Sequence, residues 1–157
     1  MSNFSLPLTT LVHENLSIVM DFCFSRKPIA ELVEGHFRGE WKYLRKALFD
    51  MSERRAGKAA LELAVFMRLL DDREDISGYL NQVDTWTYGR LIFEDNSEQP
   101  LKMRDVANKI IHSSALEWNL SKVDDPILVC MSQKKDKWLR AEIEVVKLAA
   151  FCGGLMS

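Results

Sequence analysis

Leu101-Lys-Met-Arg104-Asp105-Val-Ala-Asn108-Lys109-Ile-Ile-His112 carries two rows of residues along one helical segment, and the pattern of the chain changes where it stops. Met103, Val106, Ala107 and Ile110 recur at spacings of three and four, which makes a stripe that faces a core. Arg104, Asn108 and His112 recur every four residues and form a second line beside it. Pro100 suits the opening of this helix, and the pattern runs out near Ser113. Upstream the apolar period is helical, and downstream it is that of strands. The expected fold is therefore mainly α within the α+β class. It is a bundle of four to five helices carrying a small C-terminal antiparallel β hairpin or three-stranded meander.

Working back from Leu101, Thr9 or Thr10 can cap a first helix that runs to about Phe24, with Val12, Leu16, Val19, Met20 and Cys23 on its apolar face. Ser25-Arg-Lys-Pro28 is expected to end it, with Pro28 opening a second helix on Ile29, Leu32, Val33, Phe37, Trp41, Leu44 and Leu48. Gly35 and Gly39 weaken the middle of that helix. Asp50 and Glu53 have the spacing of a capping box, which predicts a third helix from Ser52 to Leu70. Its second half is apolar on most sides, with Glu62 and Arg68 as a narrow wet edge, so it should be the central helix. Between Asp71 and Pro100 turn formers accumulate, and this connection of about thirty residues is expected to be functional or to hold short elements of its own.

Past His112, Ala115 to Leu120 and Ile127 to Met131 flank Val123-Asp-Asp-Pro126 and read as a hairpin. Leu139, Ala141, Ile143 and Val145 alternate with Arg140, Glu142 and Glu144, which predicts a third strand. A single helix from Asp136 to Cys152 competes with it, because Trp138, Ala141, Val145 and Ala149 also keep helical spacing. With the strand, a short last helix runs through Phe151 and ends at Gly153-Gly154. One domain over 1–157 results: a helical bundle over 9–113, antiparallel strands over 115–145 and a C-terminal helix over 146–152.

A chain of 157 residues, 47% apolar and 28% charged, suffices for one core and is not the composition of a disordered segment. The formal charge of −2 gives no global attraction to nucleic acid or an anionic membrane, so any polyanion site must be local. Cys23, Cys130 and Cys152 are scattered among apolar neighbours, which fits buried reduced thiols and a cytoplasmic location. The apolar run from Leu16 to Phe24 is too short to span a bilayer, and no membrane partner is expected. His13, His36 and His112 share no ligand spacing, so no metal and no cofactor are expected.

The row Arg104, Asn108, His112 holds a cation, an amide and an imidazole, groups able to grip phosphate and move a proton. It resembles the signature of HEPN domains, helical bundles that include metal-independent ribonucleases and nucleotide-binding relatives. Arg104 stands at that family's arginine, Asp105 at its polar residue and His112 at its histidine. Arg104 to His112, followed by strands and Trp138, is also similar to bacterial proteins of unknown function. The HEPN resemblance implies that His112 acts as general acid or base on a ribose 2′-hydroxyl while Arg104 holds the phosphate. Their Cα atoms would stand about 12 Å apart along the helix axis. The alternative is that His112 only caps the helix C-terminus and Arg104 is an ion-pair partner.

Arg45, Lys46, Arg54, Arg55 and Lys58 form one basic cluster, and Lys134, Lys135, Lys137 and Arg140 a second beside Trp138, which offers a stacking surface. Trp86 and Tyr88 lie in the long polar connection, where aromatics either anchor a partner or pin the loop to the bundle. The leading expectation is a non-enzymatic binding or regulatory module that acts through a protein partner or self-association as a homo-oligomer. Its binding residues would be Trp86, Tyr88, Lys109 and Trp138. The alternative is a HEPN-like metal-independent endoribonuclease or nucleotide-binding domain, with Arg104, Asn108 and His112 as the catalytic row.

Overall fold

The computed structural model describes residues 7–37, 42–83, 87–133 and 138–155. Helix α1 spans Leu8–His36, a short helical turn α2 Lys42–Arg45, and α3 Met51–Glu74; α4 is Ile76–Val83, α5 Met103–Ile111 and α6 Val145–Gly153. The strands are β1 Gly89–Ile92, β2 Glu98–Pro100, β3 Ser113–Asn119, β4 Ile127–Ser132 and β5 Arg140–Glu144. They form one antiparallel sheet in the order β2-β1-β5-β4-β3. The class is α+β, but the sheet has five strands where a hairpin or meander was expected. Two of them fall inside the stretch assigned to the helical bundle.

The hairpin around Val123, the strand after Trp138 and the last helix are where the turn Val123-Asp-Asp-Pro126, the alternation and the Gly-Gly pair place them. Several helix boundaries differ: α1 begins at Leu8, so Thr9 and Thr10 lie inside it and cap nothing, and α3 runs on past Leu70 to Glu74. Helix α1 runs through Pro28 instead of restarting there. A proline costs a helix one hydrogen bond and one steric contact, and neither forces an end when the residues on both sides favour helix. Asp50 is no cap: its backbone is helical, and the π-helical turn Lys46–Asp50 feeds directly into α3. The Ser52 hydroxyl donates back to the carbonyls of Leu48 (2.7 Å) and Phe49 (3.1 Å) across that widened turn. Pro100 ends a strand rather than opening α5, whose first turn is capped when the Lys102 N–H donates to the Asp105 carboxylate at 3.1 Å. Trp41 of the expected second helix lies outside the described residues.

The sheet is buried on one face. Leu91, Ala141 and Cys130 stand level across β1, β5 and β4, with Ile143 and Leu128 in the next row, and all five are buried. They join the α5 stripe and the α3 row Ala56, Ala59, Ala60, Leu63, Ala64 and Met67 in one core. Four alanines in that row let α1 approach α3 closely, since small side chains shorten the distance between packed helices. Gly89 opens β1 at φ +144°, and a Cβ there would overlap the Glu142 carbonyl oxygen of β5, so only glycine fits. Helix α5 carries the chain from edge strand β2 to the opposite edge strand β3 and lies between α3 and the sheet.

Helix α3 is not wrapped on most sides as expected. Leu61, Val65 and Leu69 remain 43%, 38% and 43% exposed, a continuous apolar line facing away from the core.

Candidate functional site

The two ends of α5 meet different surroundings. At its N-terminal end the Arg104 Nη1 donates to Asp71 Oδ2 at 2.9 Å and to Asp72 Oδ1 at 2.6 Å, both at the end of α3. Asp71 is buried and also accepts from the Ser77 N–H (2.6 Å) and the Ser77 hydroxyl (2.9 Å) at the start of α4. Burial pushes the Asp71 carboxyl up. The Ser77 N–H, then the Arg104 guanidinium and the Ser77 hydroxyl, more than offset this and hold it below the ordinary carboxylate value. Hydrogen bonds from Arg104 to Asp72 and Asp71 in turn raise the guanidinium's pKa. Arg104 lines only a small hollow of about 180 Å³, with Ser77, Leu80, Asn81, Tyr88, Lys102 and Met103.

At the other end the helix stops at His112, whose backbone N–H still donates to the Asn108 carbonyl at 3.0 Å. The Ser113 hydroxyl takes the Ile110 carbonyl at 2.8 Å, so a side chain other than the imidazole caps this terminus. The His112 side chain is exposed, and among the described residues neither its ring nor the Asn108 amide has a hydrogen-bond partner. Both border a hollow of about 540 Å³ between α5 and the ends of β1, β4 and β5. Lys109 and Trp138 face the same space, with the Lys109 ammonium 4.6 Å from the centre of the Trp138 ring. Leu91, Phe93, Ser132 and Gln133 complete the wall.

No family model, no curated protein and no solved structure matches this chain.

Of the residues singled out in the sequence, Asn108, Lys109, His112 and Trp138 are brought together, and Arg104 is held apart in its ion pairs. Asp105, which the HEPN resemblance sets at a polar position, is spent on the first turn of α5, where its carboxylate accepts from the Lys102 N–H. Tyr88 is 3% exposed, lies edge-on to Phe151 of α6 and is tied by its backbone to Leu101 and Glu144, so it pins the loop and offers no anchor. Trp86 and the basic residues Lys134, Lys135 and Lys137 lie outside the described residues. In the other basic cluster Arg45 stacks on Phe49, whose ring also meets the Arg26 guanidinium at 4.3 Å.

The three thiols are buried and each is pushed up to about 12 by that burial, which leaves them protonated at neutral pH. Among the described residues no group of three His, Cys, Asp or Glu side chains is placed to hold a metal ion. No helix there is long and apolar enough to cross a membrane. Sequence reasoning missed Leu91, Phe93, Ser132 and Gln133, because only the pairing of β1, β4 and β5 brings their strand ends together.

Proposed function

We propose that this protein is a binding module for a small anion that carries a planar ring, a nucleotide-type ligand, seated in the hollow beside His112. The observation that supports it is the gathering of an ammonium, an imidazole, an amide and an indole around one open space. Lys109 supplies a positive charge for phosphate, and the His112 ring and Asn108 amide supply hydrogen bonds. As the ammonium turns to the anion it uncovers the Trp138 ring, on which a base can stack. Binding is favoured over RNA cleavage because the guanidinium a HEPN-like mechanism needs beside the imidazole is bound to two carboxylates. Those carboxylates also repel a phosphate approaching Arg104.

Titration of the full chain with AMP and with GMP in EDTA-containing buffer, followed by calorimetry and tryptophan fluorescence, tests this. Saturable binding is expected, weakened by about tenfold or more in Lys109→Ala and in His112→Ala, since each removes a charge-assisted or polar contact. Arg104→Ala should bind like the wild type. No saturable binding at millimolar nucleotide would overturn the reading, and inorganic phosphate and adenosine as separate probes divide the affinity between anion and ring.

A further inference from the structure

We infer that Lys109 is a gate that makes the hollow beside His112 select phosphorylated ligands over free nucleosides, by covering the Trp138 ring until an anion draws its ammonium away. This selectivity rests on the nucleotide reading above and narrows it to the phosphorylated members. Trp138 is half-buried and packs against the core, and the Lys109 ammonium stands 4.6 Å from the centre of its ring. A flat ring cannot stack on the part of the indole that the ammonium occupies. Only the indole holds this cation: among the described residues no carboxylate pairs with Lys109, and none of the side chains bordering the hollow is acidic. Asp105, one turn before it, accepts from the Lys102 N–H instead. Arg90, Arg104 and Lys147, by contrast, are fixed by carboxylates at 2.6 to 3.0 Å.

A contact between an ammonium and an accessible indole is weak enough for a phosphate to break, yet it still costs a neutral ring something to displace. Lys109 and His112 lie three residues apart at the end of α5 and face the same hollow, so an anion seated between them pulls the ammonium off the indole. In a nucleotide one displacement serves both halves, because the phosphate that takes the ammonium frees the ring for its own base. A nucleoside must displace the ammonium and gains no charge contact in return. Phosphate and nucleoside added as separate molecules are therefore coupled, and each raises the affinity of the other by the same factor. That factor is the worth of the contact between cation and ring at an accessible site, about two- to fivefold in affinity.

Adenosine titrated into the full chain in EDTA-containing buffer, with and without saturating inorganic phosphate at equal ionic strength, measures the coupling directly. Its affinity is expected to rise about two- to fivefold when phosphate is present. Lys109→Ala should bind adenosine about two- to fivefold more tightly than the wild type and show no response to phosphate. The same variant should bind AMP more weakly, so one substitution moves nucleoside and nucleotide in opposite directions. Lys109→Arg keeps a cation that stacks on indole and binds phosphate, and should keep the coupling. Equal adenosine affinity with and without phosphate, or a Lys109→Ala variant that binds adenosine no better than the wild type, would overturn the inference. If AMP binds the wild type while the coupling is absent, the gate alone fails. If AMP does not bind at all, the nucleotide reading fails and the gate falls with it.

Discussion

The two ends of α5 use the same kind of residue row for opposite purposes. Arg104 at one end is consumed by the fold, while Asn108 and His112 at the other are left to solvent. The difference comes from what each end meets. The N-terminal end abuts the last turn of α3, where Asp71 is buried and must be paired, because an unpaired buried carboxylate is costly. The C-terminal end emerges past the strand ends, and the Ser113 hydroxyl already donates to one of the terminal carbonyls there, that of Ile110. Regular spacing along a helix thus marks residues that share a side and says nothing about whether they share a task.

The largest test of this contrast is Asp71→Ala. It removes the acceptor for the Ser77 N–H, the Ser77 hydroxyl and Arg104 together, so the junction of α3, α4 and α5 loses three hydrogen bonds. The expected loss is about 3 kcal/mol of stability, or roughly 6–12 °C in Tm, measured by thermal unfolding. Nucleotide affinity at the far end should be unchanged. A loss under about 1 kcal/mol would mean that the junction is not what holds α5 in place.

The same carboxylate sets a pH dependence. Its folded pKa is lowered, so it stabilises the fold above the unfolded value of about 3.9. That contribution fades as pH falls through the unfolded value towards the folded one. Stability measured by denaturant from pH 6 downward should therefore decline more steeply for the wild type than for Asp71→Asn, and parallel curves would contradict the linkage. Arg104→Ala should cost less than Asp71→Ala, about 1 kcal/mol, because the guanidinium side chain is 32% exposed and Asp71 keeps Ser77. Denaturant midpoints for the two variants, compared directly, give the order.

How much of this was legible follows from the range of each interaction. The α5 stripe could be read in advance because its four apolar residues lie within one helix, and all four are buried. So could β3 and β4, which flank the turn Val123-Asp-Asp-Pro126, and β5, whose alternation reflects one covered sheet face. Strand β2 could not: Glu98-Gln99-Pro100 is exposed at every position, and only its pairing with β1 makes it a strand. The turn before it was visible in Asp95, Asn96 and Ser97, with Asn96 left-handed at φ +67°, but the flanking runs are too short and polar to suggest a hairpin. The partner of Arg104 was hidden for a similar reason. Asp71 and Asp72 looked like ordinary turn formers, and nothing local ties them to a helix some thirty residues on.

The smallest expected change in stability is also the one that separates the two ends of α5 most sharply. His112→Ala deletes a side chain that is exposed and, among the described residues, has no hydrogen-bond partner. It should move stability by no more than about 0.5 kcal/mol. Lys109→Ala should cost slightly more, because it gives up the contact with the Trp138 ring, worth about 0.5–1 kcal/mol at an accessible site. If His112→Ala keeps its Tm, Lys109→Ala loses no more than about 4 °C and both lose nucleotide, the C-terminal end of α5 is a site with little structural duty. If His112→Ala instead unfolds the protein, the imidazole caps or buttresses the helix after all, and the whole row from Arg104 to His112 belongs to the fold.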